Sequence, residues 1–271
     1  MYMERRALGT DLMISSVGLG AEHWKGLPYV KVAEIIFSAA ARGIDFIDLV
    51  WGLPEILKGV SVAQKLVDLK LQVHLGSLTE GDKYVRSRDP ARCREGFDNV
   101  LEKLGRSHIE VANIHYASNF RVWEEIKKRR VLSLANELKQ EGRAKAVGVS
   151  THSVEVVNDA VNTGLVDVVT YQVNFANHGM PGRDEALRRC EEAGVGVIAM
   201  KPFAGGLILQ AGKHVKIPGY KRGGKSSEFE VPLDVTPSKC LDYSLGQPGV
   251  SSVIAGFRSV DEVEWALCDS M

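Results

Sequence analysis

The chain has 271 residues, of which 45% are apolar and 25% charged, with a formal net charge of +0 and a pI of about 7.1. These values are typical of a globular protein with a large core, and they argue against nucleic acid or an anionic membrane surface as a partner. No apolar run approaches the ~20 residues that span a bilayer, and the N-terminus MYMERRALG lacks the apolar core of a signal peptide. We therefore expect a cytoplasmic protein without a membrane segment.

Short apolar stretches alternate with amphipathic stretches along the chain. The predicted strands are 17–20, 44–48, 71–75, 109–115, 144–150, 166–173, 195–200 and 250–254. The predicted helices are 30–42, 54–69, 90–104, 122–140, 153–163, 183–193, 237–245 and 260–267. Apolar strands joined by helices pair in parallel and are buried on both faces. Eight such units predict an α/β fold of the (β/α)8 TIM-barrel type, as a single domain over residues 1–271.

Two segments lie outside this alternation. Residues 3–8 and 12–16 flank Gly9, Thr10 and Asp11, which predicts an N-terminal β-hairpin across the barrel floor. Residues 205–235 are rich in Gly, Lys and Ser and contain KRGGKSS, so we expect a loop without regular structure. Its basic cluster is either a phosphate contact or a solvated flexible surface.

The spacing of the cysteines and the absence of common nucleotide-binding motifs limit the kinds of site that the sequence can form. The four cysteines are widely spaced, with no CxxC or Cys/His cluster, which predicts reduced thiols and no metal site. Neither GxGxxG nor a P-loop is present.

Polar residues fall at the C-terminal ends of several predicted strands, where barrel enzymes carry their active sites. Strand ends coincide with Asp48, His115, Ser150, Gln172 and Lys201. Any one of these could be a chance surface residue. Their joint occurrence predicts a shared site at one mouth of the barrel.

These strand ends lie in motifs that resemble the aldo-keto reductase family. The similar segments are RRALGTDLMISSVGLG, GIDFID, LEKLGRSHIEVANIHY, GRAKAVGVSTH, VTYQVNFAN, GVGVIAMKPFAGGLI and VSSVIAGFRSVDEV, which extend almost end to end. GVSTH and MKPFAGG are most similar to a subgroup that often carries a C-terminal iron–sulfur module, which is absent here. The resemblance implies an oxidoreductase that uses NADP(H) on a small carbonyl substrate, with NAD(H) also open.

The resemblance also implies a catalytic tetrad of Asp, Tyr, Lys and His, of which only two members are found in place. Asp48 and His115 match the family's Asp and His. Trp51 stands nearest the expected Tyr, and an indole N–H has no useful acidity. Gly76 or Ser77 stands where the Lys is expected. The tetrad is therefore predicted to be incomplete.

Three interpretations of this site remain open. His115 takes over as the acid, with Tyr116 adjacent. Alternatively, Tyr84 or Lys83 folds into the site from the segment after the third strand. In the third interpretation the barrel is a catalytically inactive nucleotide-binding or interaction protein. We favour an oxidoreductase with an altered acid site.

The cofactor residues are likewise implied by the resemblance. Met200 replaces the usual aromatic residue under the nicotinamide, and Glu262 replaces a second cation or a Gln near the adenosine phosphate. The residues expected to bind the nicotinamide carboxamide, the pyrophosphate and the 2′-phosphate are Ser150, Thr151, Gln172, Met200, Lys201, Pro202, Phe203, Gly256, Arg258 and Ser259.

Overall fold

Eight parallel strands close into a barrel in the computed structural model, which describes residues 3–9, 12–81, 83–222 and 225–268. In chain order the strands are β1 (Arg5–Ala7), β2 (Met13–Ser15), β3 (Val17–Gly20), β4 (Phe46–Leu49), β5 (Lys70–Leu75), β6 (Ser77–Glu80), β7 (Lys83–Arg86), β8 (Ile109–Ala117), β9 (Ala144–Thr151), β10 (Val168–Gln172), β11 (Gly196–Met200), β12 (His214–Arg222), β13 (Lys225–Glu230) and β14 (Val250–Ala255). The barrel order is β3-β4-β5-β8-β9-β10-β11-β14, and β14 pairs with β3. The predicted (β/α)8 barrel is therefore confirmed.

Helices connect the barrel strands. They are α1 (Tyr29–Ala41), α2 (Pro54–Ala63), α3 (Pro90–Leu104), α4 (Phe120–Lys128), α5 (Val131–Gln140), α6 (Val154–Thr163), α7 (Arg183–Glu192), α8 (Pro237–Leu245) and α9 (Val260–Leu267). The one long helix predicted over 122–140 is instead two, because Arg130 adopts a left-handed φ of 64° between α4 and α5. None of the helices that the structure describes is long and apolar enough to span a bilayer.

Three antiparallel hairpins complete the fold. β1 pairs with β2, as predicted from the flanks of Gly9, although Thr10 and Asp11 lie outside the described residues. β6 pairs with β7 directly after β5. β12 pairs with β13 where an irregular loop was expected. Of the KRGGKSS cluster, Gly223 and Gly224 lie outside the described residues, as do the side chains of 217–227.

The barrel interior has an apolar floor and a polar mouth. Side chains two residues apart on a strand share a face, so Phe46 and Asp48 both point inward, as do Val111 and Asn113. The floor is a buried cluster that includes Leu8, Leu12, Ile14, Phe46, Val111, Val168, Ile198 and Ile254. The buried polar residues nearer the strand ends include Asp48, Gln72, His74, Asn113, His115, Thr170 and Gln172. This layering puts hydrogen-bonding groups above a dry base.

The β1–β2 hairpin approaches the barrel floor so closely that Gly9 has no room for a side chain. Its φ is +60°, and a Cβ there would lie 2.1 Å from the carbonyl oxygen of Asp167 and 2.6 Å from the nitrogen of Gly196. A glycine is therefore required both by its backbone conformation and by its neighbours.

Gly9→Ala should lower the free energy of unfolding by about 3 kcal/mol, because a left-handed φ and a backbone clash add together. Gly142→Ala is the matched control, since its φ is +71° and nothing lies within 4 Å of the added Cβ. We expect the control to cost only about 1 kcal/mol. Denaturant unfolding of both variants measures the difference, and equal losses would contradict the close approach.

Asp45 joins the hairpin to the base of the barrel. Its Oδ1 accepts a hydrogen bond from the Ser15 nitrogen at 2.9 Å, and its Oδ2 lies 2.8 Å from Lys70 Nζ and 2.5 Å from Arg5 Nη1. Burial alone would raise the pKa of Asp45, but the hydrogen bonds from Lys70, Ser15 and Arg5 outweigh it, and the pKa is lowered. The ionised carboxylate therefore stabilises the folded state.

Asp45→Asn should reduce the free energy of unfolding near pH 7 by about 2 kcal/mol, because the largely buried Lys70 loses the nearer and better buried of its two carboxylate partners. Since the folded pKa is depressed, wild-type stability should fall as pH drops below about 4, and the variant should lose less over that range. Asp68→Asn is the control, because Asp68 contacts the same Lys70 Nζ at 3.3 Å with its side chain 92% exposed. A pH-dependent unfolding series in which both variants match wild type would refute this role.

Candidate active site

A chain of short hydrogen bonds joins four side chains at the mouth of the barrel. Asp48 Oδ1 lies 2.7 Å from His74 Nε2, and His74 Nδ1 lies 2.8 Å from His115 Nδ1. His115 Nε2 in turn lies 2.7 Å from the Tyr84 hydroxyl. Asp48, His74 and His115 are buried, whereas Tyr84 is 37% exposed. The structure thus brings Asp48 and His115 into one site, separated by a second imidazole.

The chain of contacts determines which ring nitrogens carry hydrogen. An ionised Asp48 only accepts, so His74 Nε2 donates to it. His74 Nδ1 is then an acceptor, and His115 Nδ1 donates to it. His115 Nε2 is left as an acceptor, and the Tyr84 hydroxyl donates to that nitrogen. Both imidazoles are neutral in this arrangement.

Electrostatics keep His115 neutral. Burial is the largest cause of the lowered pKa of His115, and the neighbouring His74, Arg86 and Arg88 lower it further, to about 2. The ring therefore accepts a hydrogen bond from Tyr84 at neutral pH and does not act as a cation.

Amide side chains support the carboxylate end of the chain. Gln72 Nε2 donates to Asp48 Oδ1 at 2.8 Å and also contacts Thr170 Oγ1 at 3.2 Å. Asn113 Nδ2 lies 3.1 Å from His74 Nε2, and a half-turn of this amide would present its oxygen to an Nε2–H donor. These contacts hold Asp48 and His74 in fixed orientations inside the barrel.

The β6–β7 hairpin carries Tyr84 over the mouth. Its base is closed by a hydrogen bond from the Ser87 nitrogen to the Gly76 oxygen at 3.0 Å. Gly76 has a φ of +86°, and a Cβ there would lie 2.5 Å from the Ser87 oxygen. Leu78 packs so tightly on α3 that a Cβ on Gly96 would lie 2.3 Å from its Cδ2. The glycine that stands where a lysine was expected therefore allows the hairpin to fold back.

Arg86 brings a cation to the phenol. Its Nε donates to the Tyr84 hydroxyl oxygen at 3.1 Å, and its guanidinium lies 5.4 Å from the centre of the Tyr116 ring. This charged donor stabilises negative charge that develops on the phenol oxygen when its proton leaves. Trp51 lies beside Tyr84, with ring centres 6.3 Å apart. Lys83, the other residue considered from this segment, is exposed.

The predicted carboxamide-binding residues differ in availability. Gln172 is 2% exposed, and its Nε2 has no hydrogen-bond partner in the described part of the chain. Ser150 Oγ already accepts from the Tyr116 nitrogen at 3.0 Å. Thr151 Oγ1 donates to the Ala117 oxygen at 2.7 Å, so its hydroxyl hydrogen is already used. Gln172 therefore offers an unused buried donor that fits an amide oxygen of a ligand.

The segment that follows strand β11 lines the same mouth. Met200 is partly buried and packs on the apolar floor. Lys201 is exposed with a left-handed φ of 60°, and its oxygen accepts from Asn174 Nδ2 at 2.9 Å. Pro202 is buried, and Phe203 is partly buried against the core. Only the Lys201 ammonium among these is free to approach an anion from solvent.

The residues expected to bind a 2′-phosphate already make contacts with other residues of the chain. His23 lies against Gly256, because a Cβ added to Gly256 would be 2.1 Å from Cδ2 of His23. Arg258 Nη1 donates to the His23 oxygen at 3.0 Å, and the Arg258 nitrogen donates to Glu262 Oε2 at 2.7 Å. Ser259 Oγ caps α9 by accepting from the Glu262 nitrogen at 3.2 Å. A carboxylate thus lies at the helix N-terminus where a phosphate was expected.

Sequence reasoning missed His74 and gave Tyr84 only as an alternative. A signal existed for each. LQVHLGS puts Gln72 and His74 on one face of a strand, and polar residues inside an otherwise apolar strand face a barrel interior. SLTEGDKYVR alternates around Gly81, which is a hairpin pattern.

Comparisons with known proteins identify the family of the chain. A family model described as the Aldo/keto reductase family matches residues 16–267. L-galactose dehydrogenase of Arabidopsis thaliana is 29% identical over 287 residues, covering 97% of this chain and 86% of that protein. The NADH-specific methylglyoxal reductase of Escherichia coli (strain K12) is 25% identical, covering 82% of this chain and 74% of that protein.

A solved structure has the same fold over the whole chain. The holo form of the aldo-keto reductase AKR11C1 from Bacillus halodurans superposes with a TM-score of 0.78 at 20% identity, covering 100% of this chain and 92% of that one. With the family model matching from residue 16 to residue 267, the chain belongs to the aldo/keto reductase family and is an oxidoreductase of that type.

Proposed function

We propose that the chain transfers a hydride between a nicotinamide dinucleotide and a small carbonyl compound, with Tyr84 as the proton donor. The observation that carries this proposal is the 2.7 Å contact between the Tyr84 hydroxyl and His115 Nε2 at the barrel mouth. The bound nicotinamide would supply the hydride for reduction. The side chains of this protein would do the rest.

Each side chain has a distinct part in the proposed reaction. Tyr84 gives its hydrogen to the substrate oxygen as negative charge develops there. His115 holds the hydroxyl in place through its lone pair, and Arg86 stabilises the resulting phenolate. Gln172 offers its unpaired Nε2 to the carboxamide of the nicotinamide. Asp48 acts at the far end of the hydrogen-bond chain, away from the substrate.

The alternatives raised by the sequence are less well supported. His115 is a poor acid at neutral pH, because burial and neighbouring positive charges lower its pKa to about 2. The Tyr and Lys missing from the expected positions have counterparts on the hairpin, where Tyr84 and Arg86 form a phenol–cation pair at 3.1 Å. An inactive binding protein has no need of such a pair. We therefore favour an active enzyme with a rearranged tetrad over one with a degenerate tetrad.

Tyr84→Phe should lower carbonyl turnover by about 10²- to 10⁴-fold, because only the proton donor is lost. The dissociation constant for the dinucleotide, followed by fluorescence titration, should stay unchanged. Tyr29→Phe, on the outer helix α1, is the matched control and should retain turnover. Full activity of Tyr84→Phe across a panel of aldehydes and ketones would show that Tyr84 is not the proton donor. Dinucleotide binding with no turnover by the wild-type chain would favour the inactive binding protein.

Contacts near α9 bear on which dinucleotide the chain uses. The sequence resemblance implied NADP(H), with NAD(H) open. The contacts around α9 favour NAD(H), because the Glu262 carboxylate holds the Arg258 nitrogen at 2.7 Å and would repel a 2′-phosphate. One similar protein, at 25% identity, is named for its specificity for NADH.

Glu262→Gln should strengthen NADPH binding about tenfold relative to NADH, a change of about 1.4 kcal/mol, because it removes the charge and keeps the acceptor oxygen. Glu264→Gln lies on the same helix with its side chain 56% exposed, contacts Arg42 instead, and should change neither affinity. Dissociation constants for both dinucleotides at fixed ionic strength provide the measurement. Tighter binding of NADPH than of NADH by the wild-type chain would overturn the preference.

A further inference from the structure

We propose that His74 stores a proton for the active site and exchanges it with Tyr84 through His115. This inference rests on the proposed function, because a proton donor needs a route by which it is recharged. It assigns His74 as a positioning and relay residue that never touches the substrate. Neither the strand-end pattern nor the family resemblance pointed to this residue.

The contact between the two imidazoles is what allows the exchange. His74 Nδ1 and His115 Nδ1 are 2.8 Å apart and buried, so at most one of them carries the hydrogen that lies between them. Either ring can hold that hydrogen, since each has a second nitrogen with its own partner. His115 uses Nε2 for Tyr84, and His74 uses Nε2 for Asp48. The four groups therefore form one continuous path for protons.

The transfer balances without any further reactant. When the Tyr84 hydrogen moves to His115 Nε2, the His115 Nδ1 hydrogen moves to His74 Nδ1. His115 begins and ends neutral, Tyr84 becomes a phenolate, and His74 becomes an imidazolium beside the Asp48 carboxylate. The phenolate can then take the hydroxyl proton of an alcohol substrate. Reduction follows the reverse path and starts from a His74 imidazolium that has taken its extra proton from solvent. Tyr84 gives its hydrogen to the product oxygen, His115 passes its Nε2 hydrogen to Tyr84 and takes the Nδ1 hydrogen of His74, and His74 ends neutral.

The surrounding charges determine where the positive charge is held. Arg86 and Arg88 disfavour a cation on His115. On the other side, Asp48 Oδ1 lies 2.7 Å from His74 Nε2 and stabilises an imidazolium there. Gln72 donates to the same carboxylate oxygen at 2.8 Å and holds it in place. The relay therefore runs from a solvent-facing phenol to a buried ion pair.

Nitrogen NMR of the histidine-labelled protein without cofactor tests the relay directly. We expect His115 to carry hydrogen on Nδ1 and His74 on Nε2, with a strongly downfield hydrogen between the two Nδ1 atoms. His74→Gln should remove that signal, whereas His108→Gln on the surface should keep it. Absence of the downfield signal from the wild-type spectrum, or its persistence in His74→Gln, would overturn the proposal.

Kinetics separates a relay from a merely structural role. His74→Gln should lower kcat by about 10²-fold with KM and dinucleotide affinity unchanged. A plot of rate against deuterium fraction of the solvent should be curved for wild type, because several protons move together, and linear for the variant. A slow variant that keeps the curved plot would show that His74 only supports the fold.

The two proposals fail in different ways. If the wild-type chain turns over no carbonyl substrate, the proposed function is wrong. The NMR measurement still decides whether His74 and His115 share a proton. If turnover depends on Tyr84 but is indifferent to His74→Gln, the function stands and the relay is wrong.

Discussion

Closure of the barrel forces every second residue of eight strands into one narrow interior, and the arrangement of the site follows from that constraint. The lower positions are filled by apolar side chains and by the underside of the N-terminal hairpin. The upper positions carry Asp48, Gln72, His74, Asn113 and His115. Because these groups come from adjacent strands at matching heights, they meet without any loop having to hold them.

Burial then determines how these groups pair. A polar atom removed from water needs a partner, so Asp48, His74 and His115 form hydrogen bonds with one another and with neighbouring amides. The one end of this network that reaches solvent is Tyr84, which is 37% exposed. Gln172 departs from the pattern, since its buried Nε2 lacks a partner in the described part of the chain. A ligand amide would complete the pairing.

The mouth also carries a phenol and a cation on a different part of the chain from the positions where a Tyr and a Lys were expected. Gly76 stands where a lysine was expected, and its left-handed φ of +86° allows the hairpin to close on Ser87. The same hairpin then supplies a phenol from Tyr84 and a cation from Arg86. The backbone conformation at Gly76 thus helps to place both side chains at the mouth.

The sequence by itself determined the alternation of strands and helices, the barrel, and the positions of Asp48 and His115 at strand ends. It could do so because hydrophobic periodicity and terminal glycines are local signals. Only the tertiary structure decided that His74 connects the two and that Tyr84 completes the chain. Those contacts depend on the inward face of a closed barrel and on a hairpin docked against α3, which join residues distant in sequence. The Arg130 break between α4 and α5 and the β12–β13 hairpin were likewise decided by packing that no local pattern encodes.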